Sequence, residues 1–576
     1  MGVSSWFSLG PSMARDGSNP ADMVVVNAEV FTSDEKNPRA RALAAKDGRL
    51  VFVGDDAGVA EFVGPETRLI DAGGRTVTPG FIDNHCHVVW IGGMMALMTK
   101  KLFEATSLEE INEMVLDHAR ANPDIPVVMG VGWRFEHMPG GMPTMEMLDS
   151  VVRDRPVMLM SLCGQCGWFN TAAGQLMEER NPAALERLAP KKSESGAYVG
   201  TLDHFHSFSP LDFFGEEEMK PLFETAVPEE IARVMDEAVS VGVTAMDDVQ
   251  FYRSFVPYVL QYREMGIFDK VRLRGAFYVD SHDLVDEPRL RENLEWWTGM
   301  AAESDDRLTL GRSIKFYIDG TQGNHTAFFL EPYSDDPTCY GRPDWSQEDF
   351  DRVVGTVDGM GLQACTHACG DAGIRRAVNS YERAIKENGE RDARHRLEHC
   401  ELPTSADIER MAALGIQAAM QPTHFFGDEV VERILGPERI QRYHPYRSLE
   451  KAGVVLSFGS DWCNSPLNPV YGLIVSATRM NYKGTRDWGP DQKIDLEDGI
   501  RHWTIDSARA LKMDEDIGSL EVGKRADFVL FNTSPLKLTS WWFLLTHKVE
   551  LGELDDFVDM TVVGGEAVYE KDGTKH

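Results

Sequence analysis

Between residues 80 and 514, short apolar runs alternate with helical patterns. This alternation constrains the fold more than any other feature of the chain. Eight runs read as strands: 81–87, 243–248, 271–278, 313–319, 362–367, 395–400, 416–421 and 454–460. Strand–helix alternation is the signature of parallel βα units, whose strands are covered on both faces. Eight such units imply a distorted TIM barrel of the α/β class. The helical stretches carry their own start signals. In SADIERMAALG, Thr404 and Asp407 supply the polar pair of a capping-box start. Two further strand candidates, 126–132 and 156–162, fall between the first and second units. Residues 95–225 therefore read as an insertion after strand one.

The ends of the chain follow another rule. MVVVNAEVFT, RALAAKDGRLVFVG and ETRLIDAGGRTVT are β-rich, with Asp47-Gly48 and Gly73-Gly74 supplying hairpin chemistry. ADFVLFN and DMTVVGGEAVYE near the other end read the same way. Residues 23–79 and 515–576 are thus expected to form one small β-sandwich, with 80–514 as the catalytic barrel. Residues 1–22, rich in Ser, Gly and Pro, read as a flexible tail.

Charge narrows the choice of partner. The 58 Lys and Arg against 92 Asp and Glu leave −34 at neutral pH, spread along the chain. Nucleic acid and anionic membrane both need a basic footprint, so neither is expected. The charge serves solubility, and a small-molecule substrate is expected. No run of 18 uncharged apolar residues offers a membrane span. The eight cysteines are too sparse for a disulfide scaffold, and the Cys163–Cys166 pair lacks the other half of a zinc knuckle. A cytoplasmic homodimer is the expected state.

Barrels keep their chemistry at the C-terminal ends of their strands. Strand one ends in His85 and His87, which face one side at i and i+2. Strand four carries Lys315, strand five ends in His367, strand six in His399 and strand eight in Asp461. Imidazoles and carboxylates gathered at one mouth are ligands that zinc accepts.

These motifs resemble the amidohydrolase superfamily of metal-dependent hydrolases. TPGFIDNHCHV looks like its strand-one signature, and GSLEVGKRADFVLFN like its return to the sheet domain. VGVTAMDD, KFYIDGTQG, THACGD, RLEHCELP, QPTHF, FGSDWCNSPLNP and WTIDSARAL are similar to the amidohydrolase-3, or YtcJ-like, branch that includes N-substituted formamide deformylase. The resemblance implies one or two divalent ions, zinc foremost. His85, His87 and Asp461 would hold the deeper ion, and His367 and His399 the second. Lys315, carboxylated by CO₂, would bridge them. It also implies Asp461 as general base and then acid in cleaving a non-peptide C–N bond.

One departure stands out. The branch's Asp-Gly-His before a Trp is replaced here by Cys163-Gly164-Gln165 before Trp168. Glutamine hydrogen-bonds but does not titrate. Gln165, Trp168, Asp319, His325 and His424 are the candidate substrate contacts. Ester or lactone hydrolysis and decarboxylation use the same kind of centre. Deamination is disfavoured, because His367-Ala-Cys-Gly-Asp371 lacks the glutamate of an HxxE motif. A non-catalytic scaffold is the remaining alternative.

Overall fold

The computed structural model describes residues 20–538 and 556–571, except 98–99, 103, 163, 165, 206–207, 282–286, 426–428 and 481–487. Its centre is a parallel sheet of eight strands. In chain order they are β1 (Phe81–Cys86), β2 (Val243–Phe251), β3 (Arg272–Tyr278), β4 (Leu308–Tyr317), β5 (Gln363–Ala368), β6 (Arg396–His399), β7 (Gln417–Met420) and β8 (Leu456–Phe458). Each overlaps one of the eight sequence-read runs. Seven parallel ladders join them in that order. Helices such as Gln347–Gly359, Asp371–Asn388 and Ser405–Leu414 return the chain between strands. The Thr404 side chain caps the last of these, accepting from Asp407 N–H, while its hydroxyl donates to the Asp407 carboxylate.

The barrel is TIM-like but closes tightly only at its mouth. Between β8 and β1 the parallel pairing is reduced to a bridge from Cys86 to Trp462. Asp461 N–H donates to His85 C=O at 2.7 Å, and His87 N–H to Trp462 C=O at 2.8 Å. Gly459 permits this approach. A Cβ there would lie 2.6 Å from both His85 N and Asn84 Oδ1. The glycine in FGSDW thus lets the segments that carry His85 and Asp461 come together.

Residues from both ends form two further sheets. One orders strands Arg49–Gly54, Ala42–Lys46, Met23–Val26 and Arg68–Asp71. The other runs Glu566–Glu570, Val558–Val563, Phe528–Phe531, Thr76–Pro79, Glu29–Phe31 and Arg39–Ala40. Met23, Val25, Ile70, Val77, Phe528 and Met560 share one buried cluster between the sheets. Asp47-Gly48 and Gly564-Gly565 make tight hairpins with positive φ at both residues. Gly73-Gly74 does not. It carries the chain from one sheet to the other, since its flanking strands pair in different sheets. A turn residue sets local direction, and strand pairing is decided elsewhere.

The segment after β1 builds a separate six-stranded sheet, in which Val128–Trp133 and Val157–Ser161 lie side by side in parallel. It has its own core of Ile111, Val115, Leu148, Leu159, Trp133 and Trp168. Cys166 Sγ accepts from Asn324 Nδ2 at 3.4 Å, and a Cβ on Gly164 would stand 3.4 Å from Asn464 Oδ1. The insertion's turn therefore sits over the loops that follow β4 and β8.

Candidate metal centre

Strand alternation delivers His85 and His87 from β1 to one point, both buried. His85 Nδ1 lies 2.6 Å from Glu398 Oε2 on β6. A carboxylate only accepts, so the proton sits on Nδ1 and Nε2 keeps its lone pair. His399 and Asp461 occupy the left-handed region, at φ 68° and 55°. Such backbone is uncommon outside glycine and clusters at functional sites.

The side chains converge. Ligand atoms of His85, His399 and Asp461 all fall within 4.8 Å of one another. Asp461 Oδ1 lies 3.1 Å from His87 Nε2 and 3.6 Å from His85 Nε2. The His399 ring is 4.7 Å from His85 and 4.4 Å from His367. His399 thus lies beside a member of each expected ligand group. Lys315 is fully buried, with Nζ 4.8 Å from the Tyr317 ring centre.

Five buried polar atoms in this cluster lack a hydrogen-bond partner: His85 Nε2, His87 Nδ1, Lys315 Nζ, His367 Nδ1 and Asp461 Oδ1. A buried orphan costs about 1–3 kcal/mol, and five together are not tolerated without compensation. Nitrogen and carboxylate donors at this density fit a divalent cation.

Charge states agree with that reading. Burial, reinforced by the Lys315 cation, lowers His367 to about 3. Burial also takes His85 and His399 well below the usual imidazole range. All three are neutral near pH 7, as metal ligation requires. Burial alone would raise Asp461, but His85, His87 and His424 hold it below the carboxylate range. Burial lowers the Lys315 ammonium against the pull of Glu398 and Asp461.

The candidate substrate contacts separate into distinct places. His424 joins the centre, with Nε2 3.4 Å from Asp461 Oδ2 and its ring parallel to His399 at 5.7 Å. Asp319 Oδ1 stands 3.9 Å from His367 Nε2. Its oxygens accept from the N–H groups of Phe328, Cys369 and Gly370 at 2.9–3.0 Å, tying the β4 loop to the end of β5. His325 pairs with Asp335 at 2.9 Å and packs on Tyr333, half-buried in that loop. Trp168 is a core residue of the insertion, fully buried, bonded to Thr144 C=O at 2.8 Å and edge-on to Trp133. Large aromatics fill cores before they serve pockets. Gln165 lies outside the described residues.

Sequence reasoning missed a column of charge inside the barrel. Arg274 reaches Asp247 at 3.0 Å, Asp247 pairs with Arg396, Arg396 Nε donates to Glu398 at 2.6 Å, and Glu398 holds His85. All four are essentially inaccessible. The available signal was four charged residues in strands that are otherwise apolar. Buried charges persist only when paired, so they had to meet across the barrel axis.

A model of the amidohydrolase family matches residues 68–569. LONG AFTER FAR-RED 3 of Arabidopsis thaliana is 28% identical, over 98% of this chain and 94% of its own length. N-substituted formamide deformylase of Arthrobacter pascens is 25% identical, over 96% of this chain and 99% of its own length. The crystal structure of an uncharacterized metal-dependent hydrolase from Pyrococcus horikoshii OT3 superposes with a TM-score of 0.67. It has 21% identity and covers 89% of this chain and 98% of the other. With that match running over most of its length, and with histidines and an aspartate gathered at the mouth of an eight-stranded barrel, the chain belongs to the amidohydrolase family, in its amidohydrolase-3 branch.

Proposed function

We propose that the protein is a metal-dependent hydrolase that cleaves a non-peptide C–N bond, in an amide, formamide or N-acyl group of a small molecule. The observation that carries this is the set of five partnerless buried atoms around Asp461. The name of the formamide deformylase relative supports the bond type. His85, His87, His367, His399 and Asp461 would hold one or two ions, most plausibly zinc. Lys315, its amine made nucleophilic by burial, would add as a carbamate. A divalent cation held there supplies Lewis acidity and lowers the pKa of a water to about 7.

The chain's own groups do the rest. Asp461, kept ionised, accepts the proton of the attacking water and returns it to the leaving nitrogen. His424, stacked on His399 beside Asp461 Oδ2, restrains that carboxylate. Glu398 fixes the proton on His85 Nδ1. Gly164 and Cys166 of the insertion stand against the loops after β4 and β8 and would limit water at the mouth.

The test is metal analysis of gently purified protein, followed by a screen of N-formyl and N-acyl compounds. One to two equivalents of metal and turnover of at least one such compound are expected. Protein without metal, or metal-loaded protein that turns over only esters, overturns the reading.

A further inference from the structure

At the end of the barrel opposite the metal centre lies a second cavity, of about 560 Å³. Its wall comes from the first residues of β3 and β4 and from the segment 511–525 that leads back to the sheet domain. Arg272, Arg274, Arg312, Lys512 and Arg525 line it, together with Asp305, Asp306 and Asp516.

The three carboxylates are already engaged. Asp306 pairs with Arg272 at 2.7 Å and with Arg525. Asp516 pairs with Arg49 at 3.0 Å, from outside the cavity. Asp305 accepts from the N–H groups of Arg307 and Leu308, and its other oxygen faces Arg263 at 3.8 Å.

The cations are not all matched. Arg312 has no carboxylate partner among the described residues, and Lys512 Nζ meets only the Asp392 carbonyl. Arg274 is buried behind the wall and already bonded to Asp247 and Gln363. Burial, then Arg391, lower Lys512, with Asp392 opposing them and Arg394 and Arg274 adding to the effect. Guanidinium and ammonium donors converging on a cavity are the chemistry of phosphate recognition.

We infer that this cavity is a binding site for a phosphate group, held by Arg312 and Lys512 and separate from the metal centre. The volume exceeds that of phosphate alone, so a phosphorylated small molecule is the class of ligand that fills it.

Calorimetric titration of the full-length, metal-loaded protein tests this, with ionic strength held constant by chloride. Inorganic phosphate is one probe and a sugar monophosphate the other. Both should bind saturably, and tighter binding of the ester assigns the larger ligand. Arg312→Gln and Lys512→Gln should each weaken binding about tenfold, the scale of one charge-assisted hydrogen bond, with metal content unchanged. Arg312→Glu, a change at an exposed position, should abolish it without harm to folding. The inference falls if heats match those of chloride. It also falls if affinity survives in these variants but disappears on chelation, which would place phosphate at the metal centre.

Discussion

Buried histidines in two regions of this molecule differ in charge. Around Asp461, burial and neighbouring cations drive His367 and His399 neutral. At His502, burial works the same way but is overcome. Asp506 at 2.9 Å and Glu450 at 3.0 Å raise that histidine to about 9. Residue type and depth are alike, so the neighbours decide. His502, bonded to two carboxylates, is held as a cation. His367 and His399, among histidines and a lysine, are held neutral.

The largest effect that sharpens this contrast comes from deleting a ligand. His399→Ala should lose bound metal, and with it turnover by about three orders of magnitude or more. His502→Ala should leave metal content intact. Elemental analysis and rates on both variants check this, and equal metal loss in the two would erase the distinction.

A smaller effect is expected one bond further out. Glu398→Gln replaces the anionic acceptor that orients His85 with a neutral amide and should weaken metal binding about 10–100-fold. Competition with a chelator measures it. Unchanged affinity would mean that the Glu398 contact is structural only.

The smallest effect lies in stability against pH, in metal-free protein. His367 has a folded pKa below its unfolded one, so its contribution is present above about 6.5 and is lost as pH falls toward 3. His502 has a raised folded pKa, so its contribution is present below about 6.5 and is lost as pH rises through 9. His502→Gln should flatten the alkaline limb, by on the order of 2 kcal/mol, while sparing the acid limb. Denaturant unfolding at pH 5, 7 and 9 reads both limbs. An unchanged alkaline limb would show that His502 is neutral in the fold.

The barrel was legible because its strands are buried on both faces. Such strands must be continuous apolar runs, and helices between them must carry periodic faces, so both patterns are written locally. The candidate ligand residues stood out for a related reason. His85, His87, His367, His399 and Asp461 end those runs, where a polar residue interrupts apolar sequence. The less legible residues fail in different ways. Asp319 and Trp168 stand beside motifs, yet one clamps a loop and the other fills a core. Spacing along a chain does not show which way a side chain is turned.

The sequence by itself determined the eight-unit alternation, the β-rich ends and the donor types at the strand ends. These rest on local patterning, which each segment carries alone. Tertiary structure decided that His399 lies beside a member of each expected ligand group, and that Gly73-Gly74 crosses between sheets. It also decided that four charged residues from three strands form one column beneath His85. These depend on closure, because a barrel brings together residues hundreds of positions apart, and only their mutual burial requires the charges to pair.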